Sequence, residues 1–170
     1  MRLYTFCNYY LSSIQQGIQS AHVVHELFNK YGMGDIQYHN HFLQLHDWSR
    51  NHKTMVVLNG GNCETLDELM TFVGSDNNTF PWQYFNEDGQ SLNGALTCVG
   101  IVLPERIYEA SAAARQRGSK WKKGRDEILY TLEVPDNTNT TMAYVCNTFG
   151  PFTEWEKELV ERLGTFGLAR

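Results

Sequence analysis

The chain has 170 residues, 42% hydrophobic and 19% charged, with a formal net charge of −5. That length and composition suit one globular domain, or one domain with an appendage, and exclude a disordered chain. No apolar run approaches the roughly 18–20 residues that a membrane-spanning helix needs, and the N-terminus lacks a signal-peptide core, so the expected location is cytoplasmic, with no membrane partner.

The elements follow from hydrophobic period and punctuation. Residues 2–7 alternate around Leu3, Tyr4 and Phe6 and predict a strand. After a link at Tyr9–Ser13, a helix is predicted over Ile14–Tyr31. Its apolar stripe is Ile14, Ile18, Ala21, Val24 and Phe28, while Gln15, Gln19 and His22 line another face. Gly32 and Gly34 end it. A second helix is expected at Asn40–Ser49, with Phe42, Leu45 and Trp48 inward. The apolar run Thr54–Leu58 reads as a buried strand, and Asn59-Gly60-Gly61 as a tight turn. A third helix, Glu64–Val73, buries Leu66, Leu69, Met70 and Val73, with Asn62 or Thr65 as its cap. Strands are predicted at Phe80–Phe85 and Leu96–Leu103, and an alanine-rich helix at Glu105–Arg115. This order predicts a compact α/β domain over residues 1–117.

The remainder, 118–170, is expected to pack on that domain as an extension. It holds a basic loop, then alternating runs Ile128–Val134 and Thr140–Cys146 around a hairpin signal. Gly150-Pro151 reads as a break, and Thr153 with Glu156 as the capping box of a last helix carrying Trp155, Leu159, Val160 and Leu163.

Charge is segregated. Six of the fourteen basic residues, Arg115, Arg117, Lys120, Lys122, Lys123 and Arg125, lie in one eleven-residue block without an acid, which leaves −11 elsewhere. With Trp121 interleaved as a stacking group, the block suits a phosphate-rich partner. A solvated basic loop is the alternative. The overall acidity argues against a general DNA-coating protein. Cys7, Cys63, Cys98 and Cys146 form no Cys-x-x-Cys pair and read as buried, reduced thiols. The six histidines lack ligand spacing and the glycine turns lack a phosphate-loop ending, so no metal and no cofactor is expected.

Three ordered blocks resemble the type-2 peptidyl-tRNA hydrolases. The first is Gln19-Ser20-Ala21-His22 on the first helix, similar to the family's Gln-x-x-His pair. The second is Trp48 to Lys53 leading into the strand Thr54–Leu58, then Gly60-Gly61-Asn62 and a helix opening Glu64-Thr65-Leu66. The third is Phe85-Asn86-Glu87-Asp88-Gly89-Gln90-Ser91, followed by Asn93-Gly94-Ala95-Leu96-Thr97-Cys98-Val99-Gly100-Ile101. It is similar to the family's Gln-Asp-Ala-Gly-Arg-Thr loop and Pro-Gly-Ser-x-Thr-Val-x-Gly-Ile strand, with Gly89, Gly94, Thr97, Gly100 and Ile101 in register. The resemblance covers about residues 2–115.

It implies a four-stranded mixed sheet with helices on both faces, to which the residues themselves add a C-terminal β-hairpin and helix. It also implies an esterase that cleaves peptide from the tRNA 3′ end. Carried over, the site is His22, Gln19, Glu87 with Asp88 adjacent, Ser91 and Thr97. The family's lysine before the first helix is missing. Gln15 stands near its place, and Lys30 and Lys53 are out of register. Loss of a charged oxyanion donor typically costs ~10²–10³ in rate. Three functions therefore compete. One is a divergent hydrolase with the 115–125 block on the tRNA backbone. The second is a binding protein that sequesters a nucleotide, for which a small phage-type protein would have this form. The third is a protein-interaction module. Family members are often dimers, so a homodimer is one assembly the resemblance allows.

Overall fold

The computed structural model describes residues 1–90, 92–125, 128–135 and 146–169. Its chain forms two compact units, Met1–Leu103 with Phe166–Arg170, and Pro104–Thr165. The Glu105–Arg115 helix, placed with the first domain by the sequence reading, clusters with the second unit.

The first unit is a four-stranded mixed sheet in the order β2-β1-β4-β3. Its strands are β1 (Arg2–Cys7), β2 (Met55–Asn59), β3 (Trp82–Asn86) and β4 (Leu96–Leu103). β1 and β2 are parallel, and β4 runs antiparallel to β1 and β3. β4 is buried along its whole length, as a central strand covered on both faces must be. One face carries Leu3, Cys7, Cys98 and Val102 beneath α1 (Ser13–Tyr31) and α2 (His39–Asp47). The helix α3 (Cys63–Val73) is capped by Asn62, whose Oδ1 accepts from Thr65 N at 2.9 Å. Gly100 lets α1 approach closely, because a Cβ there would lie 2.5 Å from Val23 Cγ1.

The stripe expected to bury α1 is the wrong one. Ile14 and Ile18 are 77% and 50% exposed, Ala21 is exposed, and Val24 and Phe28 are half-buried. The inward face is Gln16, Gln19, Ser20, Val23, Leu27 and Tyr31. Its first turns are polar because the sheet beneath them is polar too. Thr5 Oγ1 and Ser20 Oγ share a hydrogen bond at 2.9 Å, and Ser20 donates to Gln16 O at 2.8 Å. The helix predicted at Asn40–Ser49 ends at Asp47 and continues as a π-turn, Trp48–His52, closed by Lys53 at φ 55°.

The chain end returns to the sheet edge, which the sequence reading did not foresee. Asn59 N donates to Gly167 O at 2.9 Å and Ala169 N to Val57 O at 3.1 Å, while Phe166 packs edge-on to Phe6. This return covers part of the open edge of β2, which would otherwise be a pairing hazard.

An aromatic cluster closes the far end of α1. His41 lies flat on Tyr31, 5.0 Å between centroids, and Tyr38 meets both edge-on. Lys30 Nζ sits 5.1 Å from the ring centres of both Tyr31 and Trp82. Burial pushes the Tyr31 hydroxyl up to about 12. Burial, and then the Lys30 charge, pull His41 below the ordinary 6.5. The unfolded chain therefore binds this proton first, and stability is lost as pH falls from 6.5 toward the lower folded value. The variant His41→Phe is expected to flatten the dependence of the thermal midpoint on pH between about pH 7 and 5. An unchanged slope would remove His41 from that role.

The second unit has α4 (Glu105–Ala114), a three-stranded antiparallel sheet β5-β6-β7, and α5 (Glu154–Thr165). Its strands are β5 (Lys120–Lys123), β6 (Tyr130–Pro135) and β7 (Cys146–Phe152). Leu132, Val134, Phe152, Leu159, Val160 and Leu163 are buried within it. The hairpin expectation holds for its first strand. The second run, Thr140–Cys146, lies largely outside the described residues, and the strand observed there is later. Gly150-Pro151, read as a break, instead sits inside β7 with a cis peptide. Within the basic segment, Lys120–Lys123 form the edge strand β5, while Arg115, Arg117 and Arg125 lie in turns on either side of it. The capping box is as read: Glu156 N donates to Thr153 Oγ1 at 3.1 Å and Thr153 N to Glu156 Oε2 at 3.0 Å.

Candidate functional site

The start of α1 is set by Ser12, which caps the helix. Gln15 is bound into that cap, since Ser12 N and Ser12 Oγ each donate to Gln15 Oε1 at 2.9 Å. Gln15 thus has a structural task. One turn on, Gln19 is 5% exposed and reaches the loop after β3, where its Nε2 donates to Glu87 Oε1 at 2.5 Å. His22 is exposed and lies flat on Phe85, 4.2 Å between centroids with 8° between planes. Phe85 is aimed there by the strand period, because it pairs with Cys98 on the face beneath α1.

The β3–β4 loop is shaped by two left-handed residues, Asn93 at φ 55° and Gly94 at φ 72°. Glu87 N donates to Ala95 O, and Gly94 N to Asp88 O, both at 3.0 Å. Asp88 also accepts from Gln90 N at 2.9 Å, so part of its carboxylate holds its own loop. Thr97 is buried, and its hydroxyl donates to Phe85 O at 3.2 Å. Ser91 lies outside the described residues.

The structure therefore gathers Gln19, His22 and Glu87 at one place, with Thr97 behind Phe85. It brings Gln15 and Asp88 into local turns instead. No His22–Glu87 hydrogen bond is present among the described residues. Neither lysine of the first unit stands at this cluster: Lys30 is held by the aromatic rings at the other end of α1, and Lys53 closes the π-turn. Gln16 and Gln19 each bury an amide oxygen that has no hydrogen-bond partner among the described residues. Phe85 is the residue that sequence reasoning passed over. Its signal was present, an aromatic at the last inward position of a strand, one step before the acidic loop.

In the second unit the basic block is partly engaged. Lys122 pairs with Glu133 at 2.6 Å, Lys123 lies over the Tyr130 ring, and Arg115 donates to Leu163 O at 3.1 Å. Arg117, Lys120 and Arg125 are exposed. A cavity of about 350 Å³ opens between α4, β5 and α5, with Arg115, Ser119, Trp121 and Glu161 on its wall. Lys157 sits 5.7 Å from the centre of the Trp121 ring and 3.1 Å from Glu161. No group of three His, Cys, Asp or Glu side chains able to hold a metal ion occurs among the described residues, and no helix there is long and apolar enough to cross a membrane.

No protein-family model matches this chain, and no curated protein matches it.

Proposed function

We propose that this chain is a divergent relative of the type-2 peptidyl-tRNA hydrolases that binds a nucleotide, or the nucleotide end of a tRNA, without cleaving it. The observation that carries this reading is that His22 stands apart from Glu87, which with Asp88 is one of the two acids that could orient it as a base. Glu87 is bonded to Gln19, and His22 is stacked on Phe85. A general base needs an orienting acid on its ring and a water in reach. A histidine laid flat on a phenylalanine offers a stacking face instead, and stacking of a base is worth about 1–3 kcal/mol. The half-buried Glu87 carboxylate beside it, held in place by Gln19, supplies an acceptor for the edge of a base. The hydrolase reading draws on the same gathering of Gln19, His22, Glu87 and Thr97.

One experiment separates the two. Purified protein is incubated at high concentration with a labelled N-blocked aminoacyl-tRNA, and binding of mononucleotides is measured in parallel. The expected result is an intact ester, saturable nucleotide binding, and an affinity about 10- to 100-fold weaker in His22→Ala. Turnover that disappears in His22→Ala would establish the hydrolase instead. Absence of both turnover and binding would leave the interaction module.

A further inference from the structure

Cys7 and Cys98 face each other across β1 and β4, and both are fully buried. Asn8 N donates to Thr97 O at 3.0 Å, so the next pair inward, Cys7 and Cys98, is a pair without its own backbone hydrogen bonds. Side chains approach most closely at such pairs, with Cα atoms about 4.5 Å apart. That separation lies inside the range of about 4.4–6.8 Å that a disulfide spans. The sulfurs are already in contact, Sγ to Sγ 3.4 Å.

We infer that Cys7 and Cys98 form an intramolecular disulfide when the protein meets a small two-electron oxidant of the peroxide class. The sulfurs need to close to about 2.0 Å, which side-chain rotation supplies without moving the strands. The surroundings tolerate the change. Cys7 Sγ donates to Gln16 O at 3.4 Å, but that carbonyl also accepts from Ser20 at 2.8 Å, so losing the thiol proton orphans no acceptor. Cys7 is the attacking sulfur. The Cys98 thiol, then the Ser20 and Thr5 hydroxyls, hold it below the ordinary thiol range against the opposing effect of burial. Burial pushes the Cys98 thiol up, so it keeps its proton.

The step balances. Cys7 thiolate attacks one peroxide oxygen, the O–O bond breaks, and the leaving hydroxide takes a proton to become water. The Cys98 sulfur then attacks Cys7 sulfur, the S–O bond breaks, and a second water leaves with the Cys98 proton. Two thiols lose two electrons and one peroxide becomes two waters. The crosslink would lie one residue from Thr97 and one from Asn8, tying together the strands that support the candidate site.

The test uses the full chain and hydrogen peroxide. Native protein is treated, peroxide is removed, the protein is denatured, and free thiols are counted. The expected count falls from four to two, with a linked peptide containing Cys7 and Cys98 two hydrogens lighter than its reduced parts, reversed by dithiothreitol. In Cys63→Ser, which lacks the exposed thiol, the count falls from three to one. Retention of all four thiols, or a loss confined to Cys63 as a sulfinic or sulfonic acid, overturns the inference.

Discussion

Leu27→Ala is expected to destabilise the protein by about 2–5 kcal/mol, whereas Ile14→Ser and Ile18→Ser should each change stability by no more than about 0.5 kcal/mol. Leu27 has no exposed surface and packs among Leu3, Val23, Tyr31, Leu45 and Val102. Truncation there removes apolar contact and leaves a cavity that a sheet–helix interface cannot close. Ile14 and Ile18 lie mostly in solvent. Urea unfolding monitored by circular dichroism ranks the three variants. A large loss in Ile18→Ser, with Leu27→Ala near wild type, would mean that α1 is rotated from the orientation described.

The same helix shows what the sequence could and could not disclose. Element order in the first unit was readable because each strand is a short run ended by asparagine, glycine or proline, and α1 and α3 carry the capping residues Ser12 and Asn62. The rotation of α1 was not readable. Two stripes compete on it, one of large apolar residues at Ile14 and Ile18, and one with Val23, Leu27 and Tyr31 preceded by Gln16, Gln19 and Ser20. Hydropathy favours the first. The second wins because Thr5 and Cys7 below offer hydroxyl and thiol partners, and that pairing depends on a register no local pattern specifies. The candidate site divides the same way. Gln19, His22 and Glu87 were legible as residue types at suggestive spacing. Their partners were not: the choice of Gln19 over His22 by Glu87 is set by side-chain geometry. In the second unit, alternation along Lys120–Lys123 was masked by charge, since Trp121 is the only apolar residue of that strand. Its neighbour β6 supplies the pairing that makes it a strand.

Arg106→Ala should cost about 2–3 kcal/mol, and Glu156→Gln placed on top of it should recover part of that loss. Glu156 is the third residue of α5 and its side chain is only 10% exposed. One oxygen accepts from Thr153 N at 3.0 Å, and both are met by the Arg106 guanidinium. Arg106 is 44% exposed and also rests over the Phe152 ring. The two partners are therefore unequal. Removing Glu156 frees a cation that water can solvate. Removing Arg106 strands an anion held by a single backbone N–H, which is the costlier of the two losses. Glutamine at 156 keeps an oxygen for the cap and removes the charge, so alone it should cost about 1 kcal/mol. In the arginine-free background the same change relieves an uncompensated charge and should stabilise. The double-mutant cycle, read by urea unfolding, then gives a double-mutant cost smaller than that of Arg106→Ala alone, and so smaller than the sum of the two single costs. Costs that simply add would show that the pair is solvated, and that α5 is anchored by Trp155, Leu159 and Leu163 without help from the ion pair.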